Sequence, residues 1–159
     1  DLPTVVSAWD VLAKKEIVFG KVSVIGGGLV GVETAEYLAS RGCKVTIVEM
    51  MDQIAKEESN TVLPTLMKEL NSHEVEVLTS AKLMEITENA VIVEKTVDEK
   101  TEKAEVASDF VVMAVGAKKN VAELNNCTLP IHYVGDCAGE RPSNIDHAIK
   151  SAYDVACEL

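Results

Sequence analysis

Apolar positions along this chain of 159 residues switch repeatedly between a strand-like and a helix-like period. Residues 22–25 (Val-Ser-Val-Ile) and 44–49 (Lys-Val-Thr-Ile-Val-Glu) are short β-branched runs of the kind that fill buried parallel strands. Between them residues 29–41 predict a helix, with Gly31, Ala35, Leu38 and Gly42 on one face and a stop at Gly42. A second helix is expected near 59–71, with Val62, Leu63, Leu66, Met67 and Leu70 on one side and Pro64 early enough to be tolerated. A short strand over 75–78 follows, so the order is βαβαβ.

Residues 1–20 read as a lead-in segment with a short helix near 7–12, begun by Ser7 with Asp10 three residues on and packed down by Trp9. From residue 81 the texture becomes polar and alternating. Segments 82–87, 90–95 and 102–107 predict antiparallel strands joined by tight turns. Residues 109–116 are apolar enough to return to the centre of the parallel sheet, which places Gly116 near the crevice at the strand ends. The tail predicts a strand over 131–134, a loop from Gly135 through Pro142, and a helix from about 144 onward, with Ser143 as its cap and Asp146 three residues later. The apolar face of that helix, Ile145, Ala148, Ile149, Ala152, Val155 and Ala156, calls for a partner surface. The fold class is α/β: a Rossmann-like βαβαβ parallel sheet with a three-stranded antiparallel meander.

The candidate chemistry sits where the first strand meets its helix, at Gly26, Gly27, Gly28, Leu29, Val30 and Gly31. Gly26 permits the tight turn, Gly28 lets backbone approach a pyrophosphate, and Gly31 lets the helix pack closely on the sheet. The helix N-terminus offers unpaired N–H groups and a positive dipole end to a dianion. No lysine or arginine lies between Val22 and Arg41, and this contact requires none. Glu49 ends the second strand, where an acidic side chain can accept both hydroxyls of an adenosine ribose. A 2′-phosphate there would meet like charge, and Met50, Met51 and Asp52 bring no cation, so NAD is expected over NADP. A glycine-rich turn can also serve packing alone; strand, helix, second strand and terminal acid in this order favour the dinucleotide.

Composition narrows the remaining possibilities. A chain 47% hydrophobic can bury the core of one ordinary domain. No run approaches the length of a transmembrane helix, and the start at Asp1 has neither an initiator Met nor a signal pattern, which suggests an excised piece. A net charge of −11 argues against nucleic-acid and anionic-membrane partners. Cys43, Cys127, Cys137 and Cys157 lie far apart with no CxxC and no metal-like pairing with His73, His132 or His147. The expected compartment is the reducing cytoplasm; no metal site is expected and no residue is assigned to catalysis.

The segment from Gly26 to Ala35, with Glu33 inside it, resembles the two-dinucleotide-domain flavoprotein reductases, as do the meander, the run ending Val115-Gly116, and Val134-Gly135-Asp136. The likeness covers nearly the whole chain. The short span from Gly116 to Gly135, and the ending Arg141-Pro142 with Ile145-Asp146-His147-Ala148-Ile149, resemble the NADH:flavin oxidoreductases that include 2,4-dienoyl-CoA reductase, enoate reductase and trimethylamine dehydrogenase. In such enzymes an NAD domain interrupts an FAD domain. The resemblance therefore implies that residues 21–117 form the NAD(H)-binding domain and 118–159 a returning C-terminal segment of an FAD domain. It also implies that Gly135 and Asp136 hold the flavin's ribityl or phosphate region and that Glu33 lies near the nicotinamide. Val115 and Gly116, at the end of the returning strand, are candidate cofactor contacts from their position alone. The implied partners are NADH and an FAD domain of the same polypeptide, with FMN and an iron–sulfur cluster elsewhere. No FAD glycine motif precedes Val22, and no cysteine cluster or disulfide CxxC occurs, so this portion alone is not expected to complete a reaction. Two alternatives stay open: an NADH oxidase or ferredoxin-reductase relative, and a non-catalytic NAD(H)-sensing module that docks through its last helix.

Overall fold

A computed structural model describes residues 2–56, 62–97, 100–124, 127–139 and 145–158. The chain forms two compact units, residues 1–115 and 116–159.

The first unit is built on a parallel sheet. Its strands are β1 (Val5–Ser7), β2 (Lys21–Ile25), β3 (Lys44–Val48), β4 (Glu76–Leu78) and β8 (Phe110–Met113), in the order β1-β8-β2-β3-β4. Every pairing is parallel; Val22 to Ile25 stand opposite Val45 to Val48, and opposite Phe110 to Met113 on the other side. The alternation within these strands splits the core in two. Val22, Val24, Val45, Ile47 and Val112 face helices α1 (Ala8–Leu12), α2 (Leu29–Ala39) and α3 (Leu63–Ser72), meeting Ala8, Val11, Val32, Ala35, Leu38 and Leu70. Ile25, Val48 and Val111 face the antiparallel sheet of β5 (Ala81–Ile86), β6 (Ala90–Val97) and β7 (Lys100–Ala107), meeting Ala81, Val91 and Val93. Each such valine or isoleucine, wholly removed from water, contributes about 1.5–3 kcal/mol.

The predicted βαβαβ order and the meander are both present, with β8 returning between β1 and β2. Helix α2 ends at Ala39 rather than Arg41, and its stop is chemical: Cys43 N–H bonds the Leu38 carbonyl and Gly42 N–H that of Ala39, with Gly42 at φ +90. That is the Schellman arrangement. Thr87 and Ala90 exchange three hydrogen bonds and close the two-residue turn at Glu88-Asn89.

Several details differ from the sequence reading. The lead-in carries a strand, β1, paired with β8 from Val5↔Val111 to Ser7↔Met113. Ser7 does cap α1, its hydroxyl accepting from Trp9 N–H. Trp9, however, is 59% exposed, because Ala8 and Val11 define the face that turns inward. Val62 also stays exposed, and only Leu70 of the predicted α3 face is fully buried. The predicted start of that helix, Ser59 and the two residues after it, lies outside the described residues.

In the second unit residues 131–134 form no strand. Val134 is extended, with φ −132 and ψ 165, but no strand pairs with it among the described residues, and a strand requires a ladder. Gly135–Cys137 is a single 3₁₀ turn, and α4 runs Ile145–Glu158. Arg141, Pro142, the proposed cap Ser143 and Asn144 lie outside the described residues. The predicted apolar face of α4 is present, with Ile145 77% and Ile149 63% exposed. Among the described residues no helix is long and apolar enough to cross a membrane.

Candidate functional site

The parallel sheet places its switch point beside β2. From β2 the chain moves outward through β3 to β4, then returns on the other flank as β8. In open α/β sheets ligands bind at the carboxyl ends of the strands where the winding reverses. Here that point is the turn from β2 into α2, next to the end of β8.

The glycines of this turn are required for different reasons. Gly26 has φ +105 and donates its N–H to the Val48 carbonyl at 2.9 Å; a Cβ there would lie 2.5 Å from the Ala114 carbonyl oxygen. A Cβ on Gly31 would overlap the carbonyl oxygen of Gly26. Those two positions are glycine for the protein's own packing. Gly28 is not: its backbone is ordinary, φ −67 and ψ 177, and a Cβ would meet nothing within 4 Å. Gly28 is exposed and forms the N-cap of α2 with no side-chain capping bond. Val32 N–H, bonded to the Gly28 carbonyl, is the first to find a helical acceptor, so the amides of Leu29, Val30 and Gly31 precede the helical ladder. An eleven-residue helix thus begins without a side-chain cap, at a glycine whose missing Cβ has nothing within 4 Å.

Glu49 follows β3 beside this turn and is 8% exposed. Its two carboxylate oxygens hold two backbone amides, Oε2 accepting from Gly27 N–H at 2.6 Å and Oε1 from Met51 N–H at 2.7 Å. Sequence reading gave Glu49 to a ribose; the structure also gives it a protein role. Met50 is 73% exposed beside it. Glu33 is exposed on α2, one turn into the helix, and Val115, just after β8, is 67% exposed. The structure therefore brings together the glycine turn, Glu49 and the end of β8. Gly116, at φ +94, and Gly135 and Asp136 belong to the second unit, where Gly135 N–H donates to Ser151 Oγ at 2.8 Å.

Sequence reasoning missed Ile54 and Ala55, both buried against this turn. Their signal was faint: two apolar residues in a loop whose other apolar side chains, Met50 and Met51, stay exposed. Among the described residues no cluster of His, Cys, Asp or Glu could hold a metal ion. All four cysteines are free, and burial pushes the Cys43 thiol above its usual value of 9.0.

Comparison with known proteins places the fold and the family. Over 158 residues, 98% of the chain, the sequence is 44% identical to the bilirubin reductase of Mediterraneibacter gnavus (strain CC55_001C), and it covers 24% of that protein. It is 33% identical over 162 residues to the NADH oxidase of Thermoanaerobacter brockii, again 98% of this chain and 24% of that one. The chain thus spans about a quarter of the length of these curated relatives. Its fold matches a solved 2-naphthoyl-CoA reductase with a TM-score of 0.84 at 23% identity, covering 99% of this chain and 24% of the reductase. Residues 6–133 match the profile of the pyridine nucleotide-disulphide oxidoreductases, and the chain belongs to that family.

Proposed function

We propose that this chain is the NADH-binding portion of a larger FAD-dependent oxidoreductase, and that it positions NADH for hydride transfer to flavin. Gly28 carries the reading. It is a glycine that neither backbone strain nor internal packing requires, set at the uncapped N-terminus of a helix. A pyrophosphate approaching those amides supplies the missing reason, since its oxygens need both the donors and the space.

The chain's residues bind and orient. The amides from Gly28 to Gly31 receive the pyrophosphate, whereas that of the candidate Gly27 is held by Glu49 Oε2; Glu49 and Met50 border the adenosine ribose, and Glu33 and Val115 lie toward the nicotinamide. Selectivity for NADH over NADPH follows from Glu49 together with the placement of the neighbouring cations. Lys44 begins β3, five residues before Glu49 and so about 16 Å away along the strand. Arg41 lies over the Tyr37 ring, 4.4 Å from its centroid. Neither stands ready for a 2′-phosphate.

FAD, when bound in the complete protein, supplies the hydride-accepting ring. Gly135 and Asp136 are proposed to serve that flavin and Gly116 the nicotinamide-nucleotide crevice, with FMN and an iron–sulfur cluster in other parts of the polypeptide. The acceptor that finally takes the electrons belongs to those parts; an enoate or dienoyl-CoA substrate is the reading favoured by the family likeness. The name of the NADH oxidase relative supports an alternative acceptor downstream of the same donor site.

The test is calorimetric titration with NADH and, separately, NADPH at equal salt. Saturable NADH binding, weaker NADPH binding, and loss of both in Gly28→Val are expected. A folded chain that binds neither nucleotide contradicts the assignment.

A further inference from the structure

The glycine turn does not stand free. Gly27, its buried second residue, is held on both backbone groups by the segment that follows β3. Gly27 N–H donates to Glu49 Oε2 at 2.6 Å, and its carbonyl accepts from Ala55 N–H at 2.7 Å. Ile54, 4% exposed, fills the remaining side: a Cβ on Gly27 would lie 2.5 Å from its Cγ2. Ala55 presents its N–H from φ +48, a left-handed conformation that costs energy in an alanine and persists only where the surroundings fix it.

The segment is itself anchored at the start of the meander. Glu49 Oε1 accepts from Met51 N–H at 2.7 Å, and the Met51 carbonyl accepts from Ser80 N–H at 2.7 Å. The Glu49 backbone bonds Leu78 through its N–H at 2.8 Å and Ala81 through its carbonyl at 2.9 Å. A rigid path therefore runs from the junction of β4 and β5, through Glu49, to the peptide that precedes Gly28.

We infer that Glu49, Ile54 and Ala55 clamp the phosphate-binding turn, and that Glu49 is a positioning residue for the pyrophosphate as well as a neighbour of the ribose. The inference rests on the nucleotide reading given above. Its chemistry is specific. A carboxylate is acceptor-only, so it can serve two N–H groups at once, and each bond is charge-assisted. Glutamine keeps the size but replaces one oxygen by an NH₂ donor, which must face either Gly27 N–H or Met51 N–H. The turn then loses one hold and the helix amides lose their aim, whatever sugar the ligand carries.

The test separates ribose from pyrophosphate. ADP and 2′,3′-dideoxy-ADP, which keeps the pyrophosphate but has neither ribose hydroxyl, are titrated into the wild-type chain, Glu49→Gln and Ile54→Ala. Folding is followed by circular dichroism, and the Gly27 amide proton by NMR. The clamp predicts that both variants lose about tenfold or more in affinity for both ligands. It also predicts a Gly27 amide proton far downfield in the wild type, moving upfield in Glu49→Gln. A Glu49→Gln chain that loses affinity for ADP but binds the dideoxy ligand as before overturns the positioning role and leaves a ribose contact alone. Should Glu49→Gln not fold, Ile54→Ala decides the matter: undiminished binding of both ligands refutes the clamp. A folded wild-type chain that binds neither ligand instead overturns the nucleotide reading beneath it.

Discussion

Replacing Gly28 by serine should make the unliganded chain more stable and a poorer nucleotide binder. The backbone there, φ −67 and ψ 177, suits any residue, and the space around its missing Cβ is open to 4 Å. Removing glycine's freedom in the unfolded chain at such a site contributes about 0.4–1 kcal/mol. Gly28 is also an N-cap without a capping side chain, and serine in that role adds a few tenths of a kcal/mol by accepting from the amide of Val30 or Gly31. Together the gain is about 1 kcal/mol, a rise of a few degrees in melting temperature. The same hydroxymethyl group fills the space a phosphate needs and occupies one of its donors. Losing one charge-assisted hydrogen bond costs about 1.5–3 kcal/mol, or roughly ten- to a hundred-fold in affinity. Thermal unfolding by circular dichroism, with and without NADH, reads both effects, because a ligand bound only to the folded state raises the transition temperature. A variant that melts several degrees lower would mean that packing demands Gly28 after all. One that is stabilised by NADH as strongly as the wild type would remove the turn from the binding site.

Gly31→Ala should behave in the opposite way, losing about 1–3 kcal/mol or more in urea unfolding, because the methyl overlaps the Gly26 carbonyl oxygen. Glu49→Arg should not convert the site to NADPH but lose both nucleotides in calorimetric titration, since arginine sets donors against Gly27 N–H and Met51 N–H. Ser23 and Ser108 share a buried hydroxyl–hydroxyl bond of 2.5 Å, so Ser108→Ala should cost about 1–3 kcal/mol. The double alanine variant should cost less than the sum of the singles in a double-mutant cycle. Burial raises the Cys43 thiol, so the folded chain holds that proton more tightly than the unfolded one. The resulting stability is complete below the ordinary thiol value of 9.0 and is lost as pH rises through the higher folded value. A thiol reagent near neutral pH should label exposed Cys127 and Cys157 first and Cys43 only on unfolding.

The legible parts of this fold were those where a residue type answers a local demand. Gly26 and Gly31 stand where backbone and packing exclude a Cβ, Gly42 ends α2 at positive φ, and the β-branched runs of β2 and β3 fill strands buried on both faces of one sheet. The parts that could not be read depend on partners distant in sequence. Val5–Ser7 is too short to show a period and becomes a strand only because β8 offers it an edge. Residues 131–134 have strand-like composition and no ladder among the described residues. Trp9 invited burial by its type, yet the spacing of Ala8 and Val11 decided which side of α1 faces the core. At the candidate site the glycine turn and Glu49 were visible from the sequence, whereas the hold of Ala55 on Gly27 was not. A backbone amide carries no mark in the sequence of where it will donate.

The central claim is that a dinucleotide lies against the turn from β2 into α2. Titrating NADH into the isotopically labelled chain while following its backbone amides tests this directly. Saturable shifts concentrated at Gly27, Gly28, Leu29, Val30 and Gly31, with the first residues after β3 moving on the same curve, are the predicted result. Saturable shifts confined to other surfaces, or none in a folded chain, would contradict it.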